Sequence, residues 1–198
     1  MTFDRGRTQG KSGRERLLFL RRTLAAPRYS GSITPSSRYL VQTLLRLSDL
    51  ATTRTVVELG PGTGPFTAGL LERLPVEGKL LCIERDPELA DHLRGRFDDP
   101  RLTVVTGDAQ DLERHLADQG WEGNVPLIVS GLPFTSLPAE LREAILSAIV
   151  QCLAPDGSFL LYQYSYAMRR HLRRYFRRVE SRWELRNIPP AVCMRCTR

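Results

Sequence analysis

Residues 56–67 read VVELGPGTGPFT, and this run contains the most informative pattern in the chain. An apolar strand pattern carries the acidic residue Glu58, three alternate glycines follow, and a helical pattern begins at Pro65. Glycines allow a sharp turn and a close approach of the backbone to a ligand, and the following helix offers free N–H groups. A dinucleotide-binding loop would read G-x-G-x-x-G, whereas this loop reads G-x-G-x-G and follows a carboxylate that would repel a pyrophosphate. The run therefore predicts a strand–turn–helix unit that suits a cationic ligand.

Two further acidic positions follow the next two predicted strands. Glu84 ends the run KLLCIE, and Asp108 with Ala109 comes shortly after the run LTVVT. A carboxylate at the end of the second strand is placed to accept hydrogen bonds from both ribose hydroxyls. A carboxylate beside a small residue after the third strand suits an adenine ring. Three acidic strand ends around a glycine loop fit a nucleoside with a positive charge and no phosphate, which describes S-adenosyl-L-methionine.

From Thr53 onward, short apolar runs alternate with amphipathic stretches, which is typical of a parallel sheet with helices on both faces. Near the end of the chain, two strand patterns flank NIPP (187–190) and predict an antiparallel hairpin at one edge of the sheet. The predicted fold is α/β: a Rossmann-like sheet, mostly parallel with a C-terminal antiparallel hairpin, plus an N-terminal helical cap. The predicted strands are TRTVVELG (53–60), KLLCIE (79–84), LTVVT (102–106), VPLIVSG (125–131), GSFLLYQYSY (157–166), RRVESRWELR (177–186) and AVCMRCT (191–197).

The pattern E-x-G-x-G-x-G, a strand-end Glu and G-D-A resembles the class I methyltransferases over residues 53–165. The resemblance implies that Glu58 orients the loop and the methionine amino group of S-adenosyl-L-methionine, while the loop glycines approach the methionine part. It also implies that Glu84 binds the ribose, that Asp108 with Ala109 meets the adenine, and that S-adenosyl-L-homocysteine is the product. The residues assigned to cofactor binding are Glu58, Gly60, Gly62, Thr63, Gly64, Glu84, Arg85, Asp108, Ala109 and Ser130.

The fourth predicted strand ends at residues 130–134 (SGLPF), where related enzymes place the methyl acceptor. Enzymes that methylate adenine or other amines often carry N-P-P-Y or N-L-P-Y here, with the Asn accepting hydrogen bonds from the target amine. This chain keeps Leu-Pro-Phe but has Ser130-Gly131 in place of the Asn, and a Ser holds a planar amino group less well. The departure disfavours a nucleobase as the acceptor.

Four segments together resemble the bacterial phospholipid N-methyltransferases: GSITPSSR (31–38), ERDP (84–87), SGLP (130–133) and NIPPA (187–191). The resemblance implies a peripheral membrane enzyme without a metal, which methylates phosphatidylethanolamine and its mono- and dimethyl forms to phosphatidylcholine. The candidate catalytic residues are Tyr39, Ser130, Leu132 and Phe134. The alternative is an RNA adenine N6-methyltransferase, which Leu-Pro-Phe and the basic ends of the chain also suit. Ribosomal RNA adenine dimethylases carry a helical C-terminal RNA-binding domain, for which we expect no room after Arg198.

A second expectation at the acceptor end is an aromatic lining for a methylated ammonium. Tyr162, Tyr164 and Tyr166 alternate along the fifth predicted strand and would share one face, where Tyr39 and Phe134 would join them. Each cation–π contact would contribute roughly 0.5–2 kcal/mol. Ordinary packing of the tyrosines against a helix is an equal alternative.

Charge is unevenly distributed along the chain, whose formal net charge is +7. Residues 1–54 and 166–198 are basic and residues 55–165 are acidic, so the ends suit an anionic partner. We expect an anionic phospholipid surface to contact a basic helix at 15–26 and an amphipathic basic helix within 169–178. An RNA backbone would suit the same residues, but nucleic acid is the less favoured partner.

The predicted organisation is a pair of basic amphipathic helices over 1–52, which bind the membrane and cover the cofactor site, and a methyltransferase domain over 53–198. No apolar run approaches the roughly 18–20 residues of a membrane-spanning helix, and no signal-peptide apolar region begins the chain. The 4 cysteines are too scattered for a secreted disulfide scaffold, and Cys193-x-x-Cys196 lacks a second pair to complete a zinc site. We therefore expect a cytoplasmic monomer on the inner face of the cell membrane.

Overall fold

A computed structural model of the chain describes residues 36–121 and 124–198. The helices are α1 (Arg38–Leu45), α2 (Pro65–Arg73), α3 (Pro87–Arg96), α4 (Leu112–Asp118), α5 (Ala139–Cys152) and α6 (Ala167–Leu172). The strands are β1 (Thr55–Leu59), β2 (Lys79–Glu84), β3 (Leu102–Thr106), β4 (Val125–Ser130), β5 (Leu153–Gln163), β6 (Arg178–Glu184) and β7 (Ala191–Thr197). Short 3-10 turns lie at Ala109–Asp111 and Phe134–Ser136.

The seven strands form one sheet in the order β3-β2-β1-β4-β5-β7-β6. β1 to β5 are parallel, and β7 pairs antiparallel with both β5 and β6. The mostly parallel sheet with a C-terminal antiparallel hairpin is therefore confirmed. The chain forms β1, β2 and β3 outward and then crosses to β4 on the other side of β1. In open α/β sheets, the carboxyl ends of the strands at such a reversal are where ligands bind.

The central strands are buried on both faces because apolar residues occupy successive positions. Val56 and Val57 of β1 point to opposite faces, and both are fully buried. On the covering layers, α2 and α3 begin with Pro65 and Pro87, which fit the first turn of a helix because the missing N–H has no partner there. The helices thus start directly after the carboxyl ends of β1 and β2, where they can frame a ligand.

α1 packs on the sheet and on α2. Ser37 caps α1 by accepting a hydrogen bond from the backbone N–H of Leu40 at 3.3 Å. Leu40 is fully buried, and a Cβ on Gly69 of α2 would lie 2.6 Å from Val41 Cγ1. Ser36 Oγ donates to the Tyr162 hydroxyl at 3.2 Å, near the carboxyl end of β5, so α1 begins at the same edge of the sheet as the glycine loop.

Two predicted extensions are wrong. β5 ends at Gln163, and Tyr166 instead caps α6, where its ring meets Trp183 edge-on at 5.3 Å. The arginine-rich residues 169–178 are not one amphipathic helix, because α6 ends at Leu172. Phe176 then turns into the core.

The structure describes only part of the predicted N-terminal region, from residue 36 onward. The predicted helix at 15–26 lies outside the described residues, and the division into 1–52 and 53–198 stays a prediction. Within residues 36–121 and 124–198, no helix is long and apolar enough to cross a bilayer.

Candidate functional site

The glycine loop joins β1 to α2 at the carboxyl edge of the sheet. Gly60, Gly62 and Gly64 have φ angles of +66°, +60° and +84°, a region that favours glycine. A Cβ on Gly60 would lie 2.6 Å from Leu132 Cδ2, whereas a Cβ on Gly62 would meet nothing within 4 Å. Gly60 is therefore required for packing against the loop after β4. Gly62 leaves open space at the centre of the loop, as a bound ligand needs.

Glu84 at the end of β2 is buried beside this loop. One of its carboxylate oxygens accepts a hydrogen bond from the backbone N–H of Gly62 at 3.0 Å, and the other accepts from Asp86 N at 3.0 Å. The sequence predicted both the loop and the strand-end acid, and the structure brings them into direct contact.

Glu58 has a different environment, because its side chain is enclosed between β1, β2 and α2. Its Oε2 accepts hydrogen bonds from Thr67 Oγ1 at 2.7 Å and from Cys82 Sγ at 3.3 Å. Burial raises the pKa of the Glu58 carboxyl to about 7. The contact with Thr67 in the first turn of α2 agrees with a role in orienting the loop. A contact of Glu58 with the methionine amino group stays a prediction.

The ends of β2 and β3 also meet. Arg85 Nη1 lies 3.5 Å from Asp108 Oδ2, and Asp108 caps the following 3-10 turn by accepting from Gln110 N at 3.3 Å. Gly107 N donates to Glu84 O at 2.9 Å. This bond fixes Gly107 to the end of β2. The predicted adenine-binding residues Asp108 and Ala109 come next in the chain and therefore lie beside the predicted ribose-binding Glu84.

His115 on α4 lies under this turn and was not among the predicted site residues. A Cβ on Gly107 would lie 2.4 Å from the His115 ring. The glycine therefore allows the turn to rest on the buried histidine. The signal in the sequence was Gly107, the glycine directly before Asp108.

The loop after β4 packs against the glycine loop. Ser130 is fully buried, and its Oγ accepts a hydrogen bond from Leu132 N at 3.2 Å. Gly131 N donates to Leu59 O at 2.9 Å. Ser130 and Leu132 are therefore beside the predicted cofactor loop, as expected for residues between the donor and the acceptor.

Gln163, a buried residue at the end of β5, holds the same loop from the other side. Its Nε2 donates to Leu132 O at 2.9 Å. Gln163 was not among the predicted site residues, although a polar residue at the end of an apolar strand is a visible signal.

Phe134 does not take its expected place in an acceptor lining. Its side chain is fully buried and meets Phe159 edge-to-face at 6.2 Å. Phe159 in turn stacks on Phe176 at 5.8 Å. Phe134 is therefore a core residue, because its ring packs in an aromatic cluster with Phe159 of β5 and Phe176.

The aromatic residues near the acceptor end differ from the predicted set. Tyr162 stacks on Phe66 at 5.3 Å and meets Tyr164 edge-on at 6.0 Å. Its hydroxyl accepts a hydrogen bond from Ser36 Oγ at 3.2 Å, and burial raises its pKa to about 12. Tyr162 and Tyr164 are thus brought together, but Tyr162 packs against Phe66 of α2, which is the alternative of ordinary packing against a helix.

Tyr39 lies in the first turn of α1 among arginines. Arg38 Nη2 donates to its hydroxyl at 2.9 Å and lowers the pKa of that hydroxyl. The guanidinium of Arg186 lies over its ring at 4.3 Å from the centroid. The Tyr39 ring thus makes a cation–π contact, as expected, but the cation is the guanidinium of Arg186 and not a methylated ammonium.

The residues at this edge fit a positively charged nucleoside. Glu84 and Asp108 offer carboxylates at neighbouring strand ends, and the space above Gly62 is open. Within the two described ranges, no group of three or more His, Cys, Asp or Glu residues could hold a metal ion. The predicted cofactor-binding residues are assembled around the switch point between β1 and β4.

Comparisons with known proteins agree with this arrangement. The family model for ribosomal RNA adenine dimethylase matches residues 29–177. An ornithine lipid N-methyltransferase from Singulisphaera acidiphila is 38% identical over 167 residues, which are 83% of this chain and 86% of that protein.

Solved structures share the fold at low identity. The precorrin-6y C5,15-methyltransferase of Geobacter metallireducens aligns with a TM-score of 0.66 at 14% identity, over 86% of this chain and 94% of that one. Human methyltransferase-like protein 13, solved in complex with S-adenosyl-L-homocysteine, aligns with a TM-score of 0.63 at 16% identity, over 81% of this chain and 82% of that one.

Proposed function

The chain belongs to the ribosomal RNA adenine dimethylase family and is a class I methyltransferase that uses S-adenosyl-L-methionine, and from this we propose that it methylates the amine of a membrane lipid headgroup. The proposed acceptors are an ornithine lipid, the lipid in the name of the Singulisphaera acidiphila relative, and phosphatidylethanolamine with its mono- and dimethyl forms. The second set follows from the four segments that resemble the phospholipid N-methyltransferases.

The observation that carries this proposal is the geometry at Ser130. A nucleobase-methylating site would present an Asn side chain here, whereas the buried Ser130 hydroxyl already accepts a hydrogen bond from Leu132 N. It is therefore a poor acceptor for the two N–H bonds of a planar amine. The flexible, tetrahedral amine of a lipid headgroup requires less directional binding, and the ornithine lipid relative supports the same choice.

The contributions of the chain to methyl transfer are binding, orientation and exclusion of water. When bound, the cofactor supplies an electrophilic methyl group on a sulfonium sulfur. The loop around Gly62, the carboxylate of Glu84 and the Asp108–Ala109 turn would hold it. Gln163 fixes the Leu132 carbonyl and so sets the wall between donor and acceptor. Most of the rate enhancement in such a displacement comes from holding two reactants in line.

An aromatic wall would receive the methylated amine. Tyr162 and Tyr164 meet edge-on at 6.0 Å beside the carboxyl end of β5, and the Tyr164 ring is exposed there. Aromatic faces attract a methylated ammonium by roughly 0.5–2 kcal/mol per contact. The amine must lose its proton before it attacks the methyl group. Each transfer then creates a methylated ammonium, and the aromatic faces would attract this charged product.

An anionic membrane surface is the proposed partner. The C-terminal region carries many arginines, and a cavity of about 590 Å³ beside β6 is lined by Arg169, Arg178 and Arg182 among others. Basic residues near an anionic bilayer contribute about 1 kcal/mol each. Peripheral attachment of a monomer to the cytoplasmic face of the cell membrane is part of the same proposal.

Label transfer tests the proposal. Purified protein is incubated with S-adenosyl-L-methionine labelled in the methyl group and with vesicles that contain ornithine lipid, phosphatidylethanolamine, or only lipids without an amine. We expect label in the lipid extract of the amine-containing vesicles and none in the third. Absence of label from both amine lipids would contradict the proposal.

Adenine N6-methylation of RNA is the second candidate, and the match to the ribosomal RNA adenine dimethylase model favours it. A parallel incubation with total RNA distinguishes the two. Label that enters RNA but neither lipid would reverse the order of the candidates.

A further inference from the structure

Around the loop between β6 and β7, two polar side chains point inward and two large apolar side chains point outward. Glu184 and Asn187 are each 4% exposed, whereas Leu185 and Ile188 are 71% and 87% exposed. A single exposed Leu needs no explanation, but polar residues buried beside exposed large apolar ones reverse the usual distribution.

Hydrogen bonds hold this reversed arrangement in place. Glu184 accepts from Thr43 Oγ1 at 2.6 Å and from Arg186 Nε at 2.9 Å, and these bonds lower the pKa of Glu184 to about 2. Asn187 accepts from Ser37 N at 3.2 Å and donates to Pro189 O at 2.7 Å. The loop is thus fixed to α1, and the outward direction of Leu185 and Ile188 is built into the fold.

The exposed apolar side chains are concentrated around this loop. In the part of the chain that the structure describes, five of the six exposed large hydrophobic residues belong to the β6–β7 loop or to neighbouring positions, and the sixth is Val76. We call these five residues the apolar patch: Tyr164, Tyr166, Trp183, Leu185 and Ile188.

The apolar patch lies at the site edge of the sheet. Gln163, at the carboxyl end of β5, pairs with Val192 at the start of β7, so the β6–β7 loop projects from the edge that also carries the glycine loop. Tyr164 meets Tyr162 edge-on. Val76 precedes β2 and therefore lies at the opposite edge.

Charge around the patch favours a bilayer as its occupant. Arg38, Arg182 and Arg186 are exposed beside it, and aromatic, aliphatic and basic side chains together are typical of protein surfaces that enter the headgroup layer. The aliphatic Leu185 and Ile188 have no flat face on which an RNA base could stack. A second copy of the chain would bring its own arginines against these, and like charges oppose such pairing.

We propose that the β6–β7 loop inserts Leu185 and Ile188 into the interfacial layer of an anionic membrane, with the surrounding arginines on lipid phosphates. The insertion would place the carboxyl edge of the sheet, and with it the acceptor end of the site, against the lipid headgroups. The inference rests on the proposed lipid function for its setting, but vesicle binding tests it without any methyl transfer.

Sedimentation with vesicles of phosphatidylcholine and phosphatidylglycerol is the first test. The double variant Leu185→Ser/Ile188→Ser should bind about tenfold more weakly or worse than the unmodified chain, since two inserted apolar side chains are lost. Val76→Ser removes an equally exposed apolar side chain at the opposite edge and should bind normally. Unchanged binding of the double variant, or an equal loss in Val76→Ser, would overturn the proposal.

Tryptophan quenching is the second test and needs no change to the loop. The chain has 2 tryptophans, so Trp121→Phe leaves Trp183 as the only tryptophan, whose emission can be excited selectively over that of tyrosine. Lipids brominated near the headgroup end of their chains should quench Trp183 when vesicles are added. Trp183 emission that is unaffected by bound brominated vesicles would contradict insertion of the patch.

The remaining outcomes also decide the question. Light scattering without lipid that shows an association lost in the double variant would assign the patch to a second copy, and RNA binding lost in that variant would assign it to RNA.

Methylation of detergent-dispersed lipid reports on the proposed function separately. If no lipid accepts label but the double variant still loses vesicle binding, the function fails and the insertion loop stands. If vesicle lipid is labelled and the double variant binds vesicles normally, the insertion loop fails and the function stands.

Discussion

Glu84 accepts a hydrogen bond from the backbone N–H of Gly62 at 3.0 Å, so the strand end proposed for the ribose is joined directly to the glycine loop. The second oxygen of the same carboxylate accepts from Asp86 N, at the N-cap of α3. A change at Glu84 should therefore affect both the proposed ribose contact and the conformation of the glycine loop.

Removal of this carboxylate should weaken cofactor binding. We expect Glu84→Ala to reduce the affinity for S-adenosyl-L-methionine by roughly 1.5–3 kcal/mol, because charged hydrogen bonds of that strength are lost. Titration calorimetry measures the change, and Glu77→Ala, at an exposed position before β2, is the matched control. Equal affinities of Glu84→Ala and the control would show that the ribose lies elsewhere.

Backbone conformation at Gly62 gives a second prediction. A side chain at φ +60° is strained, and such a conformation costs an L-residue roughly 1–2 kcal/mol. Gly62→Ala should therefore lower the free energy of unfolding by about that amount, as urea denaturation would show. Gly95→Ala is the opposite control, because Gly95 lies in α3 with nothing within 4 Å of an added Cβ, and Ala there should be stabilising. A Gly62→Ala protein as stable as the unmodified chain would contradict the strained loop.

The buried Glu58 should make stability depend on pH. Burial raises its pKa from 4.5 to about 7, so the folded chain binds a proton more tightly than the unfolded chain does. Stability from this group is present below pH 4.5 and is lost as the pH rises through about 7. Between pH 5 and pH 8 the free energy of unfolding should fall by about 2–3 kcal/mol more in the unmodified chain than in Glu58→Gln. Urea denaturation at both pH values measures this difference, and parallel pH profiles would contradict it.

The sequence predicted the sheet and the first three strand ends well because both depend on local patterns. Apolar strands, a glycine turn and strand-end acids are visible without tertiary structure, and Gly62, Glu84 and Asp108 were all identified that way. The acceptor end was harder to predict, because it depends on contacts between distant segments. Phe134 was assigned to the acceptor lining because the sequence does not show that Phe159 and Phe176 draw it into the core. Thr67 and Gln163 were missed because their partners, Glu58 and Leu132, meet them only after folding.

Gln163 should act as a positioning residue for the methyl acceptor. Its Nε2 donates to Leu132 O at 2.9 Å, and Leu132 packs against Gly60 of the cofactor loop. Gln163→Leu keeps most of the side-chain volume but leaves the Leu132 carbonyl without this donor, and an unsatisfied buried group costs about 1–3 kcal/mol. The loop after β4 should then move, and kcat for methyl transfer should fall roughly 10- to 100-fold, because a small displacement between reacting groups has effects of that size.

The affinity for S-adenosyl-L-methionine separates positioning from a general loss of structure. The proposed cofactor contacts are concentrated at β1, β2 and β3, so the dissociation constant of the Gln163→Leu protein should stay close to that of the unmodified chain while kcat falls. Gln151→Leu, at an exposed position on α5, is the matched control and should change neither quantity. Parallel losses of kcat and cofactor affinity in Gln163→Leu would mean that Gln163 supports the fold of the whole site and does not act on the acceptor side alone.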